Sequence, residues 1–197
     1  MAKCIKCGKK GLFLHIDKRG LCEECAQIRL ADLYKAANDI QANALVLNIP
    51  KRQSEQVVMK MVIESINNSI RILSDSANIV EKTKNPETFY SRRNELYKHA
   101  DRLMRFEQVD PSLFKGMKPS EMAQKMYGEL EQGEAELWER CYVNAIEKAD
   151  KLKTEKGRLN AINKYFDMVR QYEKVLSPKA RQLVQNQRDR HIQALNE

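Results

Sequence analysis

The sequence predicts a mainly α-helical protein, in which a small zinc module with four cysteines and a β-hairpin precedes an elongated bundle of about six long helices. Two Cys-x2-Cys pairs lie within the first 25 of the 197 residues. After them, apolar residues recur at spacings of three and four, which is typical of amphipathic helices. Prolines that follow a capping residue mark several helix starts. The composition, 42% hydrophobic and 31% charged, is that of a globular chain.

The zinc prediction depends on the spacing of four cysteines. Cys4 with Cys7 and Cys22 with Cys25 can close a tetrahedral thiolate shell around one structural Zn²⁺. A shell of four thiolates leaves no open coordination position, which argues against a catalytic metal. His15 is therefore expected on the surface of the module and not at the metal.

The segment between the pairs predicts a short β-hairpin. Residues 12–16 are β-prone, and residues 17–20 form a turn in which Gly20 is expected to have positive φ. The second pair leads directly into a helical segment. A knuckle, a hairpin and a knuckle at a helix start resemble the treble-clef class of zinc fingers, which implies that all four cysteines are ligands. The 14 intervening residues also suit a zinc ribbon, in which a strand follows the second knuckle.

Helix boundaries follow from capping residues and breaks. Asn85 precedes Pro86 and Ser177 precedes Pro178, and each pair indicates a helix start. Pro111 interrupts the chain between residues 109 and 118. The predicted helices span residues 23–47, 53–82, 86–107, 119–153, 156–176 and 178 to near the C-terminus.

A shift of 66 residues indicates an internal duplication. Residues 78–109 and 144–175 share ten identities in 32 ungapped positions, and the apolar positions stay in phase. We therefore predict related αα-hairpins within repeats 53–109 and 119–175, after a zinc-binding domain at 1–26 and within a helical domain at 27–197. Two repeats are fewer than a solenoid needs, so a bundle or a dimer is expected to complete the core, and coiled-coil self-association is plausible.

Charge and compartment narrow the possible partners. The formal charge is +8. Four thiolates and one Zn²⁺ reduce it by two to +6, so the zinc-bound chain would be only mildly basic. We find neither an apolar run long enough to span a bilayer nor an apolar leader segment, so we expect a cytoplasmic protein without membrane contact. In a reducing compartment, paired Cys-x2-Cys units favour zinc over disulfides.

The sequence offers little chemistry for catalysis. It has no glycine-rich phosphate loop, and its three histidines fall in three separate elements. Cys141 lies on the apolar face of its helix and is expected to be a buried structural cysteine. Glu134 and Glu136 are typical of a solvated helix face. We therefore expect neither enzymatic activity nor a small-molecule substrate.

Basic residues near the cysteines allow two functional interpretations. Five of these basic residues could contact a phosphate backbone: Lys6, Lys9, Lys10, Lys18 and Arg19. Phe13 could add an exposed aromatic ring beside them. Small zinc modules also have charged surfaces simply because they lack a large core. We therefore predict an interaction protein that binds a protein partner or itself, with nucleic-acid binding as the alternative.

Two segments resemble a group of bacterial proteins. The stretch Gly11-Leu12-Phe13-Leu14 to Gly20-Leu21-Cys22 and the stretch Asn85-Pro86-Glu87-Thr88-Phe89-Tyr90-Ser91-Arg92 are similar to those of uncharacterised zinc-finger-headed helical proteins of Gram-positive bacteria and their phages. The resemblance implies a cytoplasmic bacterial or prophage setting and no particular activity.

Overall fold

The computed structural model describes residues 1–38 and 53–196, and it confirms a mainly α-helical fold. Two short strands form one antiparallel hairpin at the N-terminus. Within the described residues, seven α-helices follow in chain order. The strands are β1 (Ala2–Lys3) and β2 (Lys10–Gly11), and the helices are α1 (Glu23–Asn38), α2 (Gln53–Ser74), α3 (Ser76–Lys82), α4 (Pro86–Val109), α5 (Pro119–Asp150), α6 (Glu155–Tyr172) and α7 (Pro178–Asn196).

One predicted helix is divided in the structure. The segment predicted as a single helix over 53–82 breaks at Asp75, whose φ of −92° and ψ of 3° belong to a turn. Aspartate competes with helical hydrogen bonds and disfavours a helix interior. Ser76 is buried directly after the break, where its hydroxyl donates to Glu129 at 2.8 Å. The predicted end of the first helix, near residue 47, lies outside the described residues.

The predicted capping residues set the starts of α4 and α7. The Asn85 side chain accepts the Thr88 amide at 2.8 Å, and the Ser177 hydroxyl accepts the Ala180 amide at 3.3 Å. Thr154 caps α6 by accepting the Gly157 amide at 3.2 Å. Each side chain satisfies a backbone donor that the helix itself leaves without a partner.

Two compact units make up the fold. The first consists of Met1–Leu73 with Tyr97–Ala123, and the second of Ser74–Leu96 with Gln124–Glu197. The predicted repeat 53–109 covers α2, α3 and α4, whereas 119–175 covers α5, α6 and the 3-10 turn Glu173–Val175. The duplication and the domain boundary at residue 26 stay predictions.

A buried ion pair fixes α1 within the first unit. Arg29 is only 5% exposed, and its Nε donates to Asp110 Oδ2 at 2.7 Å while its Nη2 donates to the same oxygen. Asp110 also caps the 3-10 turn Pro111–Phe114 by accepting the Ser112 amide at 3.1 Å. Burial alone would raise the pKa of Asp110, but hydrogen bonds from Ser112 and Arg29 outweigh it and hold the pKa below its usual value.

The second unit contains a buried carboxylate that the sequence did not reveal. Glu134, predicted on a solvated face, is 1% exposed. It accepts the Tyr90 hydroxyl at 2.6 Å and the Arg93 guanidinium at 3.3 Å, and it also accepts the Ser177 amide at the start of α7. Trp138 Nε1 donates to the Tyr90 hydroxyl at 3.1 Å, so an indole extends the network. The prediction was wrong because these partners are distant in sequence.

Gly133 and Gly128 have different roles in α5. A Cβ added to Gly133 would overlap Val80 Cγ1, so α3 approaches α5 more closely here than any other residue permits. A Cβ added to Gly128 would meet no atom within 4 Å. Gly133 is therefore required by packing, and Gly128 is merely accommodated.

Replacing Glu134 with alanine is expected to destabilise the protein by about 3–5 kcal/mol, because it leaves the Arg93 charge buried without its carboxylate. Glu136→Ala is the matched control, since Glu136 is exposed on the same helix, where its carboxylate accepts the Gln132 side-chain amide at 2.6 Å. Urea unfolding of both variants measures the difference. A loss below about 1 kcal/mol for Glu134→Ala would contradict the assignment of a structural network.

The two glycines provide a second matched pair. Gly133→Ala should lower the free energy of unfolding, because the new methyl displaces Val80, whereas Gly128→Ala should raise it by up to about 1 kcal/mol through helix propensity. Thermal and urea unfolding would measure both. Adding Val80→Ala to Gly133→Ala should recover part of the loss if the overlap with Val80 is its cause.

Candidate metal centre

The first cysteine pair lies inside a tight turn closed by the β-hairpin. Ala2 pairs with Gly11 and Lys3 with Lys10. The Cys4 amide donates to Lys9 O at 2.9 Å, and the Gly8 amide donates back to Cys4 O at 3.0 Å. The hairpin therefore encloses the first knuckle and presents Cys4 and Cys7 from one short loop.

The hairpin is thus in a different place from the one predicted. After β2, the segment that leads to the second cysteine pair has one isolated antiparallel bridge, Ile16 to Cys22, and residues 12–15 form no strand. Leu12 and Phe13 have the β-prone character that suggested a strand, but they are exposed, and no strand of the described residues pairs with them.

Asp17 organises the turn that leads back to the second pair. Its Oδ1 accepts the Arg19 and Leu21 amides, both at 2.9 Å, and Gly20 takes the predicted positive φ of +79°. Although burial tends to raise the pKa of Asp17, hydrogen bonds from Leu21 and Arg19 outweigh it and the pKa is lowered. An aspartate that opens a turn ending in glycine is a sequence signal for this arrangement.

The second cysteine pair lies at the N-terminus of α1. Cys22 immediately precedes the helix, and Cys25 is in its first turn. The Cys22 amide donates to Cys4 Sγ at 3.3 Å, which links the two knuckles. The helix dipole and free amides at this end favour the negative charge of thiolates.

The four sulfurs have the spacing of a tetrahedral zinc shell. All four Sγ atoms lie within 4.8 Å of one another, and Cys7 Sγ is 3.8 Å from Cys22 Sγ. A regular tetrahedron with a Zn–S distance of about 2.3 Å has edges of about 3.8 Å. The structure thus brings all four predicted ligands together in an arrangement that fits a Zn²⁺ ion. When bound, the ion would act as a structural crosslink between the two knuckles.

The electrostatics of the thiols are also consistent with a cation. Hydrogen bonds from the Cys7 and Cys22 amides lower the pKa of Cys4 to about 6, which favours the thiolate form that binds metal. Burial raises the pKa of Cys25 to about 12. A buried thiol of this kind becomes a thiolate when a metal cation supplies the compensating charge.

The ligands form most of the module's small core. Cys4, Cys22 and Cys25 are buried with Leu21, and Leu14, Ile16 and Ala26 pack against them. A cluster of this size buries too little apolar surface to fold alone. Metal binding would therefore contribute directly to the stability of the module.

The five predicted basic residues do not form one uniform phosphate-binding surface. Arg19 Nη2 lies 2.9 Å from Asp17 Oδ2 and 3.1 Å from Glu55 Oε1, which ties the module to α2. Lys9 Nζ is 3.8 Å from Glu24. Lys6, Lys10 and Lys18 are exposed and have no ion-pair partner among the described residues. Glu55 was missed because no local signal links it to Arg19.

The other two residues considered for chemistry, His15 and Cys141, are not part of the four-cysteine cluster. His15 is exposed and is not part of the cysteine cluster. Cys141 is half-buried in α5, and burial raises the pKa of its thiol, so the thiolate that a nucleophile needs is disfavoured. Within residues 1–38 and 53–196, no helix combines the length and apolar character required to cross a bilayer.

No family model, curated protein or solved structure matches this chain. The treble-clef class and the bacterial or phage setting therefore stay predictions. The second knuckle continues into α1, and no strand follows it within residues 23–38 and 53–196, an arrangement that fits the predicted treble clef better than a zinc ribbon.

The metal centre predicts one tightly held Zn²⁺ per chain. Cys25→Ser should abolish tight binding because it removes a buried ligand, whereas Cys141→Ser, the matched control, should leave the metal content unchanged. Elemental analysis of the purified protein and the visible absorption of its Co²⁺-substituted form would measure the stoichiometry and the tetrahedral thiolate environment. Full metal content in Cys25→Ser would contradict the four-cysteine assignment.

Proposed function

We propose that this chain is a non-enzymatic, zinc-stabilised helical interaction protein whose zinc module binds a protein partner. One observation carries the proposal. Leu12 is 79% exposed and Phe13 is 101% exposed, side by side in the loop that leaves β2. Full burial of a side chain such as leucine or phenylalanine contributes about 1.5–3 kcal/mol. Binding of a partner that covers this loop would gain that free energy.

The proposed role of zinc is to make this loop rigid. Gly11 is paired with Ala2 in the hairpin, and Leu14, two residues after Leu12, packs on the cysteine cluster. The two exposed side chains are thus held between anchored residues. A preorganised loop loses less conformational entropy on binding, so more of the burial energy becomes affinity.

Charge indicates the kind of protein segment that would bind. Lys10 is exposed two residues before Leu12, and Lys6 and Lys18 are also exposed on the module. We expect a partner segment with an apolar anchor flanked by acidic residues, because opposite charge speeds association and excludes basic partners. A second copy of the chain is the other partner we consider, given the predicted coiled-coil character of the helices. Both would be met in the cytoplasm, where cysteine pairs of this kind remain available for zinc.

Nucleic-acid binding is the alternative function, favoured by the same exposed residues. Phe13 can stack on an unpaired base, and Lys6, Lys10 and Lys18 can contact phosphates. Two of the five predicted phosphate contacts, Lys9 and Arg19, lie against carboxylates instead. This weakens the case for a phosphate-binding surface and leaves the protein partner as our first choice.

If the exposed loop with Leu12 and Phe13 binds the partner, two double variants should differ in their affinity for it. Photocrosslinking from position 13 would identify the partner, and calorimetric titration with the purified partner would then give its dissociation constant. Leu12→Ser with Phe13→Ser should raise this constant by about ten- to a hundredfold. Val57→Ser with Ile63→Ser changes two apolar side chains of α2 that are 59% and 50% exposed, and should leave the constant unchanged. Equal effects in the two double variants would contradict the proposal.

Fluorescence anisotropy discriminates between the two functions. Labelled single-stranded DNA, duplex DNA and RNA would be titrated with the zinc-loaded protein at low and at physiological salt. We expect only weak binding that salt removes, because three free lysines make few phosphate contacts. Micromolar or tighter binding at physiological salt, lost in a Lys6→Gln, Lys10→Gln, Lys18→Gln variant, would establish the nucleic-acid alternative.

A further inference from the structure

A cleft of about 650 Å³ opens in the second unit between the C-terminal half of α5 and the helix α6. Much of its lining is apolar, with Ala145, Ala161 and Met168 among the contributing side chains. Leu152 lies at the same cleft and is 40% exposed. Clefts of about 300–1,000 Å³ between helices are typical of small-molecule sites.

The cleft is bordered by positive charge alone. Lys148, Lys151 and Lys164 line it, and within the described chain no carboxylate does. These three lysines have no ion-pair partner among the described residues. The other ionisable groups of the lining, Cys141 and Tyr165, are neutral because burial raises the pKa of both above their usual values. The Tyr165 hydroxyl also donates to Gln187 at 2.5 Å. The cleft therefore has an uncharged, largely apolar lining, and its opening is surrounded by three exposed lysines without ion-pair partners in the described part of the chain.

We propose that this cleft binds a small amphipathic acid, such as an alkyl carboxylate, with its chain on the apolar floor and its anionic head among Lys148, Lys151 and Lys164. The proposal goes beyond the interaction function and involves neither the zinc module nor its exposed loop. The apolar chain would gain affinity from burial, and the head would be selected by charge. The acid would be a bound ligand that the protein does not transform.

The dimensions favour a small ligand over a helix of a partner. The lining covers residues 141–152 on one side and 157–168 on the other. At a rise of about 1.5 Å per residue, the helical part of the first side, residues 141–150 of α5, is about 14 Å long, and the second side is about 16 Å long. These lengths suit an extended alkyl chain. A partner helix with its side chains is about 10–12 Å across and would project far out of a cleft of this volume.

Calorimetric titration of the zinc-loaded full chain with monomeric dodecanoate tests the proposal. We expect one site per chain and affinity that rises by about two- to fourfold for each methylene from octanoate to dodecanoate. Lys148→Gln, Lys151→Gln, Lys164→Gln should weaken binding by at least about tenfold, and Ala161→Phe, which fills the cleft, should do the same. The matched control changes three exposed lysines outside the cleft, Lys98→Gln, Lys125→Gln, Lys174→Gln, and should change the affinity by less than about twofold.

Two further ligands examine the charge requirement. Dodecyltrimethylammonium has the same chain with a cationic head, and vesicles of anionic phospholipid present the headgroup charge on a membrane surface. Neither is expected to bind as dodecanoate does. Comparable binding of the cationic ligand, binding of vesicles without binding of dodecanoate, or equal losses in the cleft and control variants would each overturn the proposal. Since Lys148, Lys151 and Lys164 are surface residues, their variant should stay folded even if Ala161→Phe does not.

Discussion

A charge removed from water must have a partner, and this requirement organises both compact units. In the first unit the buried Arg29 donates to Asp110, which fixes α1, the helix that carries Cys25, to the end of α4. In the second unit the buried Glu134 bonds to Arg93 and Tyr90 and also accepts the amide that begins α7. Such pairs add little net stability compared with apolar packing, but their loss is costly, so they specify which helices meet.

Short-range features of the sequence predicted the structure well. Asn85, Ser177 and Gly20 each act through atoms within three residues along the chain, so helix starts and one turn could be derived from local chemistry. The four cysteines also cluster as predicted, because the coordination geometry of a metal restricts which sequence spacings are possible.

Features that depend on distant partners could not be predicted in this way. Glu134 and Glu136 occupy similar sequence environments, yet the first is buried, since Arg93 and Tyr90 come from another helix. The close approach of Val80 to Gly133 is likewise a tertiary property. Around the cysteines, the pairing of β1 with β2 could not be predicted, because strands of two residues are too short to show an alternating apolar pattern.

The four thiols of the cysteine cluster are not equally accessible to solvent. Cys4, Cys22 and Cys25 are buried, whereas Cys7 is exposed. Oxidants and thiol-exchange reagents in solution therefore reach the cluster first at Cys7, and the first ligand exposed to oxidation belongs to the loop closed by β1 and β2. Chemical loss of a bound metal would consequently begin in the N-terminal knuckle, because Cys22 and Cys25 of the second pair are both buried.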